Sequence, residues 1–434
     1  MIRSTLLTEL DRVKAGSPLR HRGFRRYLGS FGASLLGDQL WFVGLAWAAA
    51  RSGSPDQASF VMAAGSVPRA VLLLVGGAWA DRRGARRMAL LGQGGRLLAM
   101  VVAVVVLAYL GRVEVVVLAA LAFLFGLADA VYLPAMAALP PLLLEDGQVP
   151  AGQGMVQTLE RVALVAAGPL GGLLVAIHGM RGGPLALVGA VNGVLFLAAG
   201  LLLWRLGPAP GGTTKGSSTE ESVLSSVGSG LRYIAGEPVV LAVLVAITLL
   251  NLGMAGPLNV GLALLAEEFG WSPTLYGWML TAFSSGAVLG ALGSSVIGAV
   301  RRPAVAGLVW VIGAGASLGL VAATTSAVVV ALVLVAVGVC TGPAAALLIG
   351  LIQTRVPHDH IGRVMSAVNL SSLGLTPVAY LGFGRLAAVF SVAGAFAVCG
   401  AAVVVTAVGA LGVPTVRRAA IGGTGDRRGR LPSP

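Results

Sequence analysis

The chain has 434 residues, of which 56% are hydrophobic and 11% charged, with a formal net charge of +13. Soluble domains carry about 25% charged residues. A mean hydropathy of +0.89 therefore excludes an ordinary water-soluble enzyme, and it excludes a nucleic-acid binder, whose charge would coat one face. What fits is an all-α polytopic membrane protein.

Residues 1–27 are polar and basic. They read as a cytoplasmic tail, with a short amphipathic helix expected around 6–13. The apolar run that follows is too long for a cleaved signal, so the first span is expected to serve as its own uncleaved signal. Apolar runs then recur at the ~20 residues needed to cross a bilayer: 28–50, 57–80, 87–110, 114–139, 153–177, 184–206, 238–264, 274–299, 304–324, 327–351, 365–389 and 391–413. That predicts twelve spans. One long polar gap, 207–237, is rich in Gly, Ser, Thr and Pro and carries Glu220 and Glu221. It separates a six-helix bundle at 28–206 from a second at 238–413, and 222–234 within it reads as a helix on the cytoplasmic surface. A basic tail, 414–434, ends the chain.

The basic residues give the sidedness. Of the 30 Lys and Arg, most fall in the two tails, the central gap and the loops on the same side. Arg51, Arg112, Arg181 and Arg385 alone fall in loops on the other side. Cytoplasmic loops carry the excess of Lys and Arg, so both termini are expected in the cytoplasm.

Between the second and third spans lies Gly77-Ala-Trp-Ala-Asp81-Arg82-Arg-Gly84-Ala-Arg86-Arg-Met. Gly77 allows close helix contact, and Gly84 allows a sharp turn with positive φ. Asp81 can accept from free amides at another helix start. This stretch resembles the loop between spans 2 and 3 of the major facilitator superfamily, with matches at Gly77, Asp81, Arg82, Gly84 and Arg86. Trp79 and Ala85 depart from the pattern. The resemblance implies two six-helix halves around a central substrate site and a gating role for the loop. In that role Asp81 caps the start of span 11, and Arg82 or Arg86 finds an acidic partner. A weak repeat at an offset of 208, pairing Gly154 with Gly362 and Pro169 with Pro377, agrees with such halves.

Charges within a bilayer are costly and mark cavities or partners. Six lie within the expected spans: Asp38, Arg69, Arg96, Asp129, Glu160 and Arg161. The first four sit roughly 14–18 Å in from the cytoplasmic end of their span, near the middle of a ~30 Å hydrocarbon core. Asp38, Asp129 and Glu160 are the candidate proton-coupling groups; Arg69, Arg96 and Arg161 are their candidate charge partners. The alternative for each is a permanent structural salt bridge, with Glu160 next to Arg161 reading mostly as packing polarity.

In span 5, Gly168-Pro169-Leu-Gly171-Gly172 frees a backbone carbonyl at the proline and leaves room for a neighbouring helix. It is similar to the core of the superfamily's antiporter motif, although Leu164 stands where a glycine is expected. Phe24-Arg-Arg-Tyr27, Leu36-Gly-Asp38, Val67-Pro-Arg69, Phe125-Gly-Leu-Ala-Asp129 and Gly362-Arg363-Val-Met resemble the twelve-span drug exporters related to macrolide-efflux and enterobactin-exporter proteins. Gln93 stands where that group often has an Asp. Gln39, Trp41, Asn251, Met254, Asn259, Trp278 and Gln353 are candidate lining for a wide amphipathic cavity.

The resulting expectation is a secondary transporter of a bacterial cytoplasmic membrane, a monomer working by alternating access and exporting drug-like or secondary-metabolite molecules against protons. The rivals are a siderophore or nutrient carrier and a non-transporting membrane receptor. No phosphate-binding loop for ATP and no catalytic constellation is present, and no cofactor, metal or nucleic-acid partner is expected.

Overall fold

The computed structural model describes residues 17–111, 114–177, 183–207, 232–296 and 300–417, and for 73–82, 146, 295–296, 358–359 and 366 the backbone alone. The expected helix at 6–13, most of that at 222–234, and nearly all of the basic tail lie outside the described residues. Every element is helical among those described. The long helices are α1 (Arg22–Ser52), α2 (Pro55–Arg83), α3 (Ala85–Leu110), α4 (Val115–Ala137), α5 (Val149–Ala176) and α6 (Gly183–Trp204). Then come α7 (Pro238–Gly256, continued by Pro257–Gly261 and Leu262–Glu268), α8 (Pro273–Val296), α9 (Pro303–Leu320) and α10 (Ala327–Arg355). The last two are α11 (His358–Asn369, Leu370–Gly374, Thr376–Phe390) and α12 (Val392–Gly412). Among the described residues ten of these, α3 to α12, are long and apolar enough to cross a membrane.

Local chemistry explains the boundaries. Pro55, Pro238, Pro273 and Pro303 open their helices, where a missing N–H costs nothing. Gly84, at φ 87°, makes the break between α2 and α3, and Gly111, at φ 65°, ends α3 with its N–H on the Leu107 carbonyl. Ser391 takes φ 117° without being glycine. Its hydroxyl accepts from the Gly394 N–H and caps α12, which offsets the strain. Both α7 and α11 are interrupted by a π turn, at Pro257–Gly261 and Leu370–Gly374. Pro257 removes one backbone donor at the first of these.

The fold divides into two units. One comprises Met1–Glu220 with Ala266–Thr281, the other Glu221–Leu265 with Ala282–Pro434. The contiguous halves read from the sequence differ from these units in one respect: Ala266–Thr281, the end of α7 and the start of α8, packs with the first. The cause lies on α5. A Cβ at Gly168 would strike the Gly277 carbonyl and the Thr281 hydroxyl, and one at Gly172 would strike Pro273 and Thr274. With no side chains there, the start of α8 lies directly on α5, and the Thr281 hydroxyl bonds the Val165 carbonyl at 3.1 Å.

Within each unit the helices choose the same neighbours. In the first, α1 packs on α5 and α6, α2 on α4, and α3 on α4 and α6. In the second, α7 packs on α11 and α12, and α9 on α10 and α12. There α8 meets α10 through Gly286 and Gly290 against Gly338 and Gly342. Small residues let helix backbones touch where lipid supplies no hydrophobic drive between helices. The equivalent contact of α2 with α4 is made by Gly65 and Gly126, whose backbones meet directly. Phe24, Tyr27 and Phe31, spaced for one face of α1, stack in series at 5.8 and 5.9 Å and anchor the buried cluster at one end of the first unit. Outside, Leu98, Val105, Val194, Leu201, Val328 and Val405 are exposed, as lipid-facing side chains should be.

The glycine contacts make a sharp prediction. Gly126→Val forces α2 and α4 apart and should destabilise the protein by at least about 1–3 kcal/mol, seen as a lower melting temperature in detergent. Gly94, on α3 with open space around it, should accept alanine without loss.

Candidate functional site: a buried charge network

Four of the six charges read from the sequence meet inside the first unit. Asp38 comes from the middle of α1, Arg69 from α2, Arg96 from α3 and Asp129 from α4. Arg96 and Asp129 are fully buried and Asp38 nearly so. The Arg96 Nη2 forms ion pairs with Asp38 Oδ1 and, at 2.9 Å, with Asp129 Oδ1. The other oxygen of Asp129 pairs with Arg69 Nη2. The chain of contacts runs Asp38–Arg96–Asp129–Arg69, with charges that alternate and cancel. Uncompensated charge in such surroundings would be driven out or neutralised, so the equal numbers are what permit the burial.

Aromatic rings complete the setting. The Arg96 guanidinium carbon lies 4.0 Å from the ring centre of Tyr132, 4.8 Å from Phe196 and 5.5 Å from Phe125. Arg69 lies 4.8 Å over Phe42. Ring faces carry negative charge density and attract a cation. These rings were not selected from the sequence. The signal was nevertheless present, since Phe125, Asp129 and Tyr132 recur at i, i+4 and i+7 and so share one face of α4.

Gln93 explains why its substitution for the expected acid is tolerated. It is buried, accepts from the Ser34 hydroxyl at 2.9 Å and donates to the Phe196 carbonyl at 2.8 Å. It ties α3 to α1 and α6 as a neutral group, and Arg96 takes its carboxylates from α1 and α4 instead.

The remaining candidates divide. Glu160 is half-buried and Arg161 exposed on α5, and neither joins the network. In the gating loop, the side chains of Gly77, Asp81 and Arg82 lie outside the described residues, while Gly84 makes the positive-φ turn noted above. Arg86 reaches a backbone carbonyl: its Nη2 donates at 2.6 Å to that of Trp204, at the end of α6. Arg26 does the same at 2.6 Å to the carbonyl of Arg205. Both cations satisfy free carbonyls at a helix C-terminus, where the dipole favours positive charge. In span 5, Gly168 and Gly172 receive the start of α8, as described, and Gly171 receives Val43 of α1.

Among the expected cavity residues, Trp41 is fully buried against Phe125 at 6.0 Å, so it packs α1 on α4 and lines no open space. Met254 is also buried. Asn251 donates to the Ser372 hydroxyl at 2.7 Å, joining α7 to the π turn of α11. Asn259 is exposed but bonds back to the Ala255 carbonyl of its own helix. Gln39 is half-buried, and Trp278 and Gln353 are exposed. A cavity of about 380 Å³ in the first unit is lined instead by residues such as Gly44, Trp47, Arg51, Leu185 and Pro273. Trp47 there is buried against Tyr276 at 5.7 Å, and Arg51 approaches Glu267 at 3.7 Å. Among the described residues, no group of three or more His, Cys, Asp or Glu side chains could hold a metal ion.

Arg96→Met leaves Asp38 and Asp129 to share Arg69 alone. Breaking a buried pair from one side costs about 3–5 kcal/mol, so the melting temperature in detergent should fall markedly. Adding Asp38→Asn restores the balance of charge and should recover part of the loss. A melt unmoved by Arg96→Met would contradict the network.

The comparisons agree with this architecture. A family model described as Major Facilitator Superfamily matches residues 27–372 and 244–432. The multidrug efflux pump Tap of Mycolicibacterium fortuitum is 28% identical over 359 residues, covering 81% of this chain and 86% of that protein. The enterobactin exporter EntS of Shigella dysenteriae is 28% identical over 270 residues, 58% of this chain and 62% of that protein. A crystal structure of a bacterial homologue of the iron transporter ferroportin, in an inward-facing state, matches with a TM-score of 0.74 at 18% identity, over 90% of this chain and 98% of the other. The chain is a multi-pass membrane transporter and belongs to the Major Facilitator Superfamily.

Proposed function

We propose that this protein exports amphipathic, drug-like molecules in exchange for protons, by alternating access of two six-helix halves, 28–206 and 238–413, with twelve spans and both termini in the cytoplasm of a bacterial cell. The observation that carries the proposal is the network Asp38–Arg96–Asp129–Arg69 in the first unit, buried except at the half-buried Arg69. With both carboxylates ionised, the four charges cancel. A proton on Asp38 leaves the network with one excess positive charge and removes its tie between α1 and α3. An excess buried charge is unfavourable unless the surroundings change, so protonation favours whichever conformation exposes the network. Substrate arrival and proton departure then become alternatives at one site, which is the requirement for exchange.

The multidrug efflux relative supports the class of cargo, and the glycines of α5 that resemble the antiporter motif support the direction. In this reading the loop from Gly77 to Arg86 gates the cytoplasmic side, with Asp81 and Arg82 as its active charges. Gln39, Trp278 and Gln353 remain candidates for cargo contact, and the transporter works as a monomer. A second reading, export of a catecholate siderophore, rests on the likeness to an enterobactin exporter.

The test uses purified protein in proteoliposomes, with proton movement recorded as amphipathic antibiotics, cationic dyes and a catecholate siderophore are added in turn. Antibiotics or dyes should evoke proton movement; a response to the siderophore alone would support the second reading. Asp38→Asn and Asp129→Asn, alone and combined, should lower the response at least about tenfold while cargo binding persists. Undiminished coupling in the double variant would overturn the assignment.

A further inference from the structure

Arg96 is held by charge and not by well-directed hydrogen bonds. Both carboxylates pair with Nη2, yet Nε, Nη1 and Nη2 are all buried without a hydrogen bond of regular geometry. A guanidinium has five N–H donors in a rigid fork, and a buried one is normally anchored by several. Here its flat faces are held by Tyr132, Phe196 and Phe125 instead. A ring's attraction for a cation varies little as the cation turns in its own plane. A directional hydrogen bond weakens steeply when its angle changes. A cation gripped by rings is thus fixed in position and free in orientation.

We infer that the three rings form a cage that lets Arg96 transfer its pairing between Asp38 and Asp129, and that Tyr132 is the chief positioning residue of the proton-coupling switch. The inference rests on the coupling role proposed above for Asp38. When Asp38 takes a proton, Arg96 turns fully to Asp129, which lies on the same face of α4 as Tyr132 and Phe125. When the proton leaves, Arg96 is shared again. No bond other than the O–H of Asp38 forms or breaks, and the proton comes from and returns to water. The charged or titratable groups that face Arg96 are Asp38 from α1, Arg69 through its bond to Asp129, and Asp129 and Tyr132 from α4. From α6 comes the neutral Phe196. Glu160 on α5 stands apart.

The sign of the effect follows. Without the cage, Arg96 depends more heavily on its carboxylates and holds the ionised form of Asp38 more tightly. Protonating Asp38 then requires a lower pH. The experiment measures cargo-driven proton movement in proteoliposomes across pH for the wild type, Tyr132→Leu, Tyr132→Phe and Phe125→Leu. Tyr132→Leu should move the midpoint about one unit to lower pH, a tenfold change in the proton equilibrium. Phe125→Leu, whose ring is more distant, should move it less in the same direction. Tyr132→Phe keeps the ring and should match the wild type. If Tyr132→Leu does not fold, Phe125→Leu decides the matter. Unchanged midpoints in the folded leucine variants, or a Tyr132→Phe shift as large as that of leucine, would overturn the cage. If Asp38→Asn itself leaves proton movement intact, the coupling role fails and not the packing of the cage.

Discussion

One fully buried arginine, Arg96, holds two carboxylates from two different helices, and the first unit is arranged around that fact. Burying a guanidinium is unfavourable unless charge and geometry compensate it. Asp38 and Asp129 supply the charge, Arg69 balances the second carboxylate, and three rings cover the faces. Each of α1, α2, α3 and α4 contributes one member, so none of the four can shift without disturbing the balance. That dependence is what makes such a network suitable as a switch: its energy is sensitive to one proton and to small helix movements at once.

Glycine is the second constraint. The approach of α2 to α4 at Gly65 and Gly126, of α8 to α10 at four glycines, and of α5 to the start of α8 at Gly168 and Gly172 all require backbone against backbone. Lipid drives no helix pairing by hydrophobicity, so close packing provides the cohesion. The same neighbours recur in both units, which gives physical content to the weak repeat seen in the sequence. The second unit differs in carrying π turns in α7 and α11, joined by Asn251 and Ser372. The first unit has charge at its centre; the second has interrupted helices and neutral amides.

The sequence made the helices legible because lipid imposes one simple rule, a run of ~20 apolar residues. Proline and glycine marked where the runs broke. The buried charges were legible for the same reason, since each stood out against an apolar background. Their pairing was not legible, because depth along a span says nothing of which face of the helix a residue occupies. Depth grouped Asp38, Arg69, Arg96 and Asp129 together; only packing showed that Arg96 serves both acids. The rings around it were hidden among other aromatic residues in apolar runs, where core packing is the ordinary role. Trp41 was misread for the complementary reason: a large amphipathic ring suits a cavity, but here it is fully buried, with Phe125 of α4 against it. The bond of Arg86 to the end of α6 was not legible either, because it answers a demand set by backbone carbonyls that no side-chain pattern reveals.

The central claim is that the Asp38–Arg96–Asp129 network exchanges a proton as cargo binds. The most direct measurement is the number of protons released per cargo molecule bound, recorded in weakly buffered detergent solution at a pH below the midpoint of transport, where Asp38 holds its proton before cargo arrives. The account predicts about one proton from the wild type and none from Asp38→Asn, with cargo still bound by both. Binding without proton release in the wild type, or equal release from Asp38→Asn, would contradict it.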